Sequence, residues 1–325
     1  MAVMTLVKAI NNALDIKLND NKDVVVYGED VGYEGGVFRV TQGLQEKYGE
    51  QRVFDSPLAE SGIVGTAVGM AVAGMKPVIE MQFSGFAYPG FNQMISHVSR
   101  MRNRSRGKYT SSMVIRMPYG GGIKALEHHS ESMEAIYGHI PGLKVVIPST
   151  PHDAKGLLIS AIESEDPVIY MEPKRIYRAV KQEVSDDKFN VDIGRANVVQ
   201  KGSDVTVVSY GAMMRDTQKA LAMAKKAGIS VELIDLRTIY PIDKETIANS
   251  IKKTGRLVSV TEAPASFGPG GELMAIANEE AFLHLEAPPK RVSGFDTIFP
   301  LPQGEHHYLP SPEKIYYEIE RTVKF

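Results

Sequence analysis

The sequence contains no cysteine, and this absence excludes several kinds of chemistry. Disulfides, zinc–thiolate sites, iron–sulfur clusters and thiol nucleophiles all need cysteine, so any redox chemistry requires a bound cofactor. A chain without disulfides is compatible with a reducing compartment, and we expect a cytoplasmic protein.

The sequence also lacks an excess of one charge and any long apolar run. Its 37 basic and 39 acidic residues give a formal net charge of −2, which excludes a uniformly basic nucleic-acid binder. Near the N-terminus, Lys8, Asn11, Asn12 and Asp15 interrupt the apolar positions. We therefore expect neither a membrane span nor a targeting segment.

The length of 325 residues favours two domains, at about 150 residues per domain. Each half alternates β-branched runs with helical stretches, which is typical of parallel strands joined by crossover helices. Strands are predicted at 24–27, 76–83, 113–117, 143–147 and 167–171, and then at 204–210, 230–235, 256–262 and 290–294. The polar stretch 174–193 is interpreted as a linker or a surface excursion.

The clearest helix follows the strand at 143–147. Thr150 is its predicted N-cap, Pro151 its first residue, and Asp153 lies in its first turn. The helix should end before Pro167. Other helices are predicted at 61–74 and 88–104, and the last helix should begin after Ser311.

Two acidic residues, Glu29 and Asp30, follow the first predicted strand. Functional side chains favour the carboxyl ends of parallel strands, so both are well placed for a site. A strand-ending turn with solvated acids is the favoured alternative, because turns outnumber sites among surface loops.

A third carboxylate, Glu60, begins a helix of small and apolar residues. A carboxyl group in apolar surroundings has a raised pKa and can exchange a proton near neutral pH or bind a ring nitrogen. A helix-start glutamate stabilised by the helix dipole explains the pattern equally well.

A glycine-rich loop after the strand at 113–117 carries His128 and His129. Imidazoles titrate near physiological pH, so these side chains are candidate proton donors. A solvated loop is the alternative, and a zinc site is disfavoured because no third ligand follows at helical spacing. The helix end at 160–167 combines carbonyls and acids that could collect a hard cation, although a solvated helix end fits better.

Long stretches of the chain resemble the beta subunit of the thiamine-diphosphate-dependent decarboxylating component of 2-oxoacid dehydrogenase complexes. The stretches are VVVYGEDVGYEGGVFRVTQGLQEKYG, RVFDSPLAESGIVG, PGLKVVIPSTPHDAKGLLISAIESEDPVIYMEPKRIYR and DLRTIYPIDKETI. The resemblance implies an α/β fold: a thiamine-diphosphate-binding (pyrimidine) domain with a parallel sheet at 1–185, a linker at 186–200, and a transketolase C-terminal α/β domain at 201–325.

The resemblance also implies roles for individual residues. Glu60 matches the family glutamate that hydrogen-bonds the aminopyrimidine ring of the cofactor and favours its imino tautomer. Leu58, Gln82 and Phe86 match positions that line the pyrimidine. His129 matches a histidine associated with reductive acylation of the lipoyl group.

A potassium site is implied as well. The site matches the backbone at Met113, Ala161, Ile162, Ser164 and Asp166, and the ion would brace the loops around the cofactor.

One family signature is absent: the chain has no GDG followed about 25 to 30 residues later by asparagine, the motif that binds magnesium and the diphosphate. The resemblance therefore implies an alpha subunit that completes the site, an α2β2 heterotetramer, and a lipoyl-bearing acyltransferase core as a further partner.

The expected function is oxidative decarboxylation of a 2-oxoacid with acyl transfer to lipoyl groups. The stretches IVGTAVGMAV, MEPKRIYR, NEEAFLHLEAP and VSGFDTIFPLP resemble branched-chain members most. The alternatives are a pyruvate dehydrogenase subunit, a split transketolase-like enzyme and a non-catalytic scaffold.

Overall fold

The computed structural model describes residues 1–325 and divides the chain into two units. The first unit comprises residues 1–119 and 136–193, and the second comprises residues 120–135 and 194–325. The expected boundaries need two corrections. Residues 186–200 are not a linker, because the first unit extends to residue 193 and the second begins at residue 194. The loop 120–135 folds with the second unit instead of the first.

A parallel β-sheet forms the centre of the first unit, with strands in the order β6-β7-β5-β4-β2-β3. The strands of this unit are β1 (Ala2–Thr5), β2 (Val24–Gly28), β3 (Val53–Asp55), β4 (Lys76–Glu80), β5 (Val114–Tyr119), β6 (Lys144–Val146), β7 (Val168–Pro173) and β8 (Lys181–Val184). The strands predicted in the first half are all confirmed. The short strands β1, β3 and β8 escape prediction because three or four residues give too little periodicity.

Helices connect these strands. They are α1 (Leu6–Asp20), α2 (Leu44–Tyr48), α3 (Glu60–Val72), α4 (Tyr88–Ser96), α5 (Met101–Arg104), α6 (Glu134–Gly138) and α7 (Pro151–Glu163). The signals at α7 are confirmed: Thr150 Oγ1 accepts a hydrogen bond from the Asp153 N–H at 3.1 Å, and the helix ends before Pro167. The helix predicted at 88–104 is interrupted, because a 3₁₀ turn at Val98–Arg100 separates α4 from α5.

The polar stretch 174–193 is an ordered part of the first unit. Within it, β8 pairs antiparallel with β1. The chain then runs along α7, where Lys155 Nζ donates to the carbonyl of Ser185 at 2.6 Å. Further on, Val191 lies so close to Gly156 that a Cβ added there would be 2.4 Å from a Val191 methyl carbon. The linker interpretation is therefore wrong. The contacts depend on the backbone carbonyl of Ser185 and on the absence of a side chain at Gly156, and the polar composition of the stretch does not reveal either.

The second unit has its own sheet, in the order β14-β13-β10-β11-β9, with β9 antiparallel to β11. The elements of this unit are β9 (Asn197–Gln200), β10 (Val205–Ser209), β11 (Val231–Asp235), β12 (Thr238–Tyr240), β13 (Leu257–Pro264), β14 (Lys290–Gly294), α8 (Met213–Lys226), α9 (Lys244–Thr254), α10 (Pro269–Ala281), α11 (Glu305–Tyr308) and α12 (Pro312–Val323). All four strands predicted here are confirmed, and Ser311 caps α12 as expected. No helix of the chain is both long and apolar enough to cross a bilayer.

A buried ionic cluster joins three neighbouring strands of the first sheet. Arg116 on β5 is 0% exposed, and its guanidinium donates to Glu80 on β4 and to Glu172 on β7, each at 2.7 Å. The hydroxyl of Tyr177 donates to the other oxygen of Glu172. Burial by itself lowers the pKa of Arg116, but the charges of Glu172 and Glu80 outweigh burial and raise that pKa. Arg116 therefore stays charged inside the protein, whereas burial raises the pKa of Glu80.

We predict that Arg116→Met lowers the free energy of unfolding by about 3–5 kcal/mol, because it leaves Glu80 and Glu172 buried without a counter-charge. The urea midpoint followed by circular dichroism measures this loss. Arg195→Ala is the matched control, since it removes an exposed ion pair with Glu245 at 3.7 Å and should leave the midpoint unchanged. Equal midpoints for Arg116→Met and the wild type would contradict the prediction.

Candidate active site

The carboxyl ends of three strands meet at one edge of the first sheet. Strand β2 pairs in parallel with both β3 and β4, so the segments that leave these strands begin side by side. Those segments carry Glu29 after β2, Leu58 and Glu60 after β3, and Gln82 after β4. The topology thus brings separate stretches of sequence to one place, as expected for a site in a parallel sheet.

Glu29 is a buried carboxylate at this edge, with 5% of its surface exposed. Its Oε1 atom is buried and has no hydrogen-bond partner in the chain. Burial raises the pKa of Glu29, and the negative charges of Glu60 and Asp30 raise it further. The favoured sequence interpretation, a turn with solvated acids, is therefore wrong for Glu29, although Asp30 is exposed. The position after a buried strand was the signal that pointed to it.

Glu60 is the first residue of α3 and is partly exposed. The first turn of this helix is fixed from two sides. The Tyr27 hydroxyl, from β2, donates to the Ile63 carbonyl at 2.8 Å, and Ser61 Oγ donates to the Pro89 carbonyl. The backbone that carries Glu60 is therefore held against both the sheet and the start of α4.

Gln82 and Asp30 contact each other across this edge. The Nε2 atom of Gln82 donates to Asp30 Oδ2 at 2.9 Å. Asp30 has a φ of 56°, a left-handed conformation that aspartate tolerates better than most residues. The hydrogen bond orients the Gln82 amide beside the carboxylates.

Two of the expected site residues are apolar. Leu58 is 82% exposed. Phe86 is partly exposed, and its ring packs edge-on against Phe83 with centroids 5.3 Å apart. Phe83 in turn contacts Phe38, so the aromatic group is anchored inside the first unit.

The chemistry of these residue types suits an aminopyrimidine ring. Leu58 and Phe86 offer apolar surface for a flat heterocycle, and Glu60 offers a carboxylate for a ring nitrogen. The buried, unpartnered oxygen of Glu29 is a polar atom whose hydrogen bonding the chain alone leaves incomplete. Nowhere in the chain do three or more His, Asp or Glu side chains form a group that could hold a metal ion.

His129 lies in a different unit from Glu60. It ends the 3₁₀ helix Glu127–His129 within the loop 120–135, and its backbone N–H donates to the Leu126 carbonyl at 3.0 Å. Its side chain is partly buried, with Nδ1 out of contact with solvent, whereas His128 is exposed. His129 is therefore the less exposed of the two histidines.

The loop that carries His129 is tied to the second unit by carboxylates. Glu262 Oε2 accepts from the Gly121 N–H at 3.2 Å, and Glu305 Oε2 accepts from the Lys124 N–H at 3.1 Å. A Cβ at Gly120 would lie 2.5 Å from Glu262 Oε1, so only glycine allows this approach. Close packing against Glu262 therefore explains the glycine at position 120, and the sequence alone does not reveal this contact.

Glu134 anchors the other end of the loop and was not singled out from the sequence. It is fully buried, its Oε1 accepts from the Tyr210 hydroxyl at 2.8 Å, and its Oε2 has no partner. Burial raises the pKa of Glu134 to about 7, with a further contribution from the charge of Glu262. Nothing in its sequence neighbourhood signals this burial, because the partner Tyr210 is distant in the chain.

The residues expected to bind potassium lie at the opposite edge of the first sheet. Met113 directly precedes β5, while Ser164 and Asp166 lie between α7 and β7. These are the amino ends of the strands, separated from the carboxylate cluster by the length of a strand, roughly 16 Å for five residues. The potassium site therefore stays a prediction, and the topology places its residues apart from the carboxylates at the other edge.

Two protein-family models match the chain. The transketolase pyrimidine-binding domain matches residues 2–180, and the transketolase C-terminal domain matches residues 194–315. A solved structure described as a split-gene transketolase, an inactive beta4 tetramer, superimposes with a TM-score of 0.81 at 22% identity and covers 99% of each chain. These matches confirm the expected fold.

Similar proteins share more of the sequence. The pyruvate dehydrogenase E1 component subunit beta of Acholeplasma laidlawii is 58% identical over 324 residues, which cover 100% of this chain and 99% of that protein. Proteins of the same name from Mycoplasma pneumoniae and Staphylococcus epidermidis are 51% and 50% identical, covering 98% and 100% of this chain and 97% and 100% of theirs. These names support a 2-oxoacid dehydrogenase subunit but not the expected branched-chain preference.

The raised pKa of Glu134 predicts a pH dependence of stability. A carboxyl with a folded pKa of about 7, above its ordinary 4.5, stabilises the fold while protonated; this contribution is complete below pH 4.5 and is lost as the pH rises through 7. Glu134→Gln keeps an acceptor for Tyr210 and cannot ionise. Above about pH 8 it should be more stable than the wild type by up to about 3 kcal/mol, and the difference should vanish near pH 5.

Thermal unfolding of both proteins across this pH range measures the effect. Glu280→Gln, an exposed carboxylate on α10, serves as the control and should follow the wild-type profile. A difference between Glu134→Gln and the wild type that does not change with pH would contradict the assignment.

Proposed function

Because this chain belongs to the family of 2-oxoacid dehydrogenase E1 beta subunits, we propose that it is the beta subunit of a pyruvate dehydrogenase, active with an alpha subunit and thiamine diphosphate. Relatives of that name, 58% to 50% identical over nearly the whole chain, support pyruvate as the substrate. The single structural observation that carries the proposal is the carboxylate cluster at one edge of the first sheet, with Glu29 buried and incompletely hydrogen-bonded.

In this proposal Leu58, Gln82 and Phe86 hold the pyrimidine, and Glu60 binds a nitrogen of the ring. The bound cofactor supplies a nucleophilic carbon and a sink for the electron pair that remains when carbon dioxide leaves. The chain contributes the proton chemistry of its carboxyl groups. Glu29 and Asp30 add negative charge beside Glu60, and this favours keeping a proton within the cluster at a carboxyl oxygen.

The second half of the site is assigned to an alpha subunit. The sequence lacks the GDG…N motif, and the chain has no side-chain group suited to a metal ion. A diphosphate needs a divalent cation to offset its charge, so Mg²⁺ would be held mainly by that partner. The family arrangement would be an α2β2 heterotetramer, with the acyl group passed to the lipoyl group of an acyltransferase core.

His129 is proposed to act in that acyl transfer. Its side chain is partly buried in a loop that Glu262, Glu305 and Glu134 hold in place. A positioned imidazole can donate a proton as a thiolate forms or orient the incoming sulfur.

The proposal is tested by 2-oxoacid-dependent reduction of an artificial electron acceptor, with thiamine diphosphate and Mg²⁺ present. The chain is assayed alone and with a coexpressed alpha subunit, and pyruvate is compared with 2-oxobutyrate and the branched-chain oxoacids. We expect activity only in the pair, with pyruvate preferred. A cofactor-loaded pair that consumes ketose phosphates instead would favour a split transketolase, and a pair that binds no cofactor would favour a scaffold.

We predict that Glu60→Gln lowers turnover at least about 100-fold, because an amide cannot exchange a proton with a nitrogen of the bound ring. The tetramer should remain intact by gel filtration, since Glu60 is partly exposed and makes no ion pair. Glu50→Gln, an exposed carboxylate elsewhere in the first unit, is the control and should retain full activity. Wild-type turnover in Glu60→Gln would reject its role.

For His129→Ala we expect a split between two assays. Lipoyl acylation should fall about 10- to 100-fold more than reduction of the artificial acceptor, because only the former needs proton delivery to sulfur. His128→Ala removes the exposed neighbouring imidazole and should change neither assay. An equal loss in both assays for His129→Ala would indicate a merely structural role.

A further inference from the structure

A lysine from strand β4 holds the carboxyl-terminal end of α7. The Nζ atom of Lys76 donates to the Ile162 carbonyl at 3.3 Å and to Ser112 Oγ at 2.8 Å. Ser112 Oγ in turn donates to the Ser164 carbonyl at 2.7 Å. One ammonium group therefore satisfies, directly and through a hydroxyl, two carbonyls that a helix leaves without partners at its end.

The other backbone oxygens assigned to potassium by the resemblance also have donors. The Met113 carbonyl accepts from the Val168 N–H at 3.0 Å, and the Ala161 carbonyl accepts from the Ser164 N–H at 3.3 Å. These are ordinary bonds of a parallel strand pair and of a helix end. The carbonyls of Met113 and Ala161 therefore point toward neighbouring backbone N–H groups.

The Asp166 carbonyl accepts from Ser164 Oγ at 2.8 Å, and the carboxylate of Asp166 is paired as well. Asp166 Oδ1 accepts from Arg102 Nε at 2.7 Å, and Asp166 Oδ2 lies 3.7 Å from Lys144 Nζ. Lys144 further donates to Ser164 Oγ at 3.0 Å. Three positive side chains, Lys76, Lys144 and Arg102, thus surround the oxygens that a metal ion would need.

The nearby negative charge is likewise neutralised. Glu163, the last residue of α7, is paired with Lys17 at 2.7 Å and with Lys188 at 2.6 Å. Burial lowers the pKa of Lys76 and the charge of Lys17 lowers it further, whereas the charges of Glu165 and Glu163 raise it. The acidic and basic side chains around the end of α7 are therefore already paired with one another.

We propose that the Lys76 ammonium is a built-in cation that takes the place of an alkali metal ion at the end of α7. An ammonium group has the charge of K⁺ and a similar size, and carbonyl and hydroxyl oxygens satisfy both. The negative end of the α7 dipole favours a positive charge at this point, whichever group supplies it. The residues that the resemblance assigns to potassium do not fit a further cation in this chain. This inference concerns the stability of the first unit and is independent of the proposed activity.

The test compares thermal unfolding of the full chain in KCl and in N-methylglucamine chloride at equal concentration. The wild type should show the same Tm in both salts. Lys76→Met empties the position and should lower the Tm in N-methylglucamine, with K⁺ restoring about 3 °C of the loss. Lys22→Met, an exposed lysine without a partner, is the control and should respond to neither salt.

A second measurement can be made on the wild type alone, so the proposal stays testable if Lys76→Met fails to fold. Rubidium replaces potassium and scatters anomalously, so crystals soaked in RbCl reveal any alkali-ion site. We expect no anomalous peak at the Ile162 carbonyl in the wild type and a peak there in Lys76→Met. A rubidium peak or a K⁺-specific rise in Tm for the wild type would overturn the proposal, and so would a folded Lys76→Met that ignores K⁺.

Discussion

The ionic contact between Arg116, Glu80 and Glu172 is the constraint on which the first unit depends. It lies where water is excluded, so each charge needs its partner and none can be removed singly without leaving another uncompensated. Because the three residues come from neighbouring strands, the cluster fixes the relative position of β4, β5 and β7. Tyr177 then connects it, through Phe38 and Phe83, to the aromatic group that supports Phe86.

The two edges of the first sheet have opposite electrostatic character. At the carboxyl ends of the strands, Glu29 is buried beside Glu60 and Asp30, and one of its oxygens lacks a partner. At the amino ends, Lys76 and its neighbouring cations satisfy the end of α7. The incomplete hydrogen bonding of Glu29 suits ligand binding, whereas the paired groups around Lys76 suit a structural brace. The same parallel topology produces both, because it gathers strand ends of one kind at each edge.

The loop 120–135, which carries His129, is held in place by residues that lie far along the chain. Residues 120–135 leave β5 of the first unit, yet Glu262 and Glu305 of the second unit bind their backbone N–H groups. At the end of this segment the buried Glu134 accepts a hydrogen bond from Tyr210, and burial raises the pKa of Glu134 to about 7. The position of His129 is therefore a property of the tertiary fold and not of its local sequence.

The sequence by itself determined the α/β class, most strands, the caps of α7 and α12, and the candidate residues Glu60, Leu58, Gln82, Phe86 and His129. These follow from side-chain periodicity, local capping chemistry and long matching stretches, all of which are encoded in neighbouring residues. Only the tertiary structure decided that Glu29 is buried, that Glu134 anchors the histidine loop, that residues 186–193 belong to the first unit, and that Lys76 holds the end of α7. Each of these depends on a partner far away in the chain, and burial and electrostatic environment arise only when such partners meet.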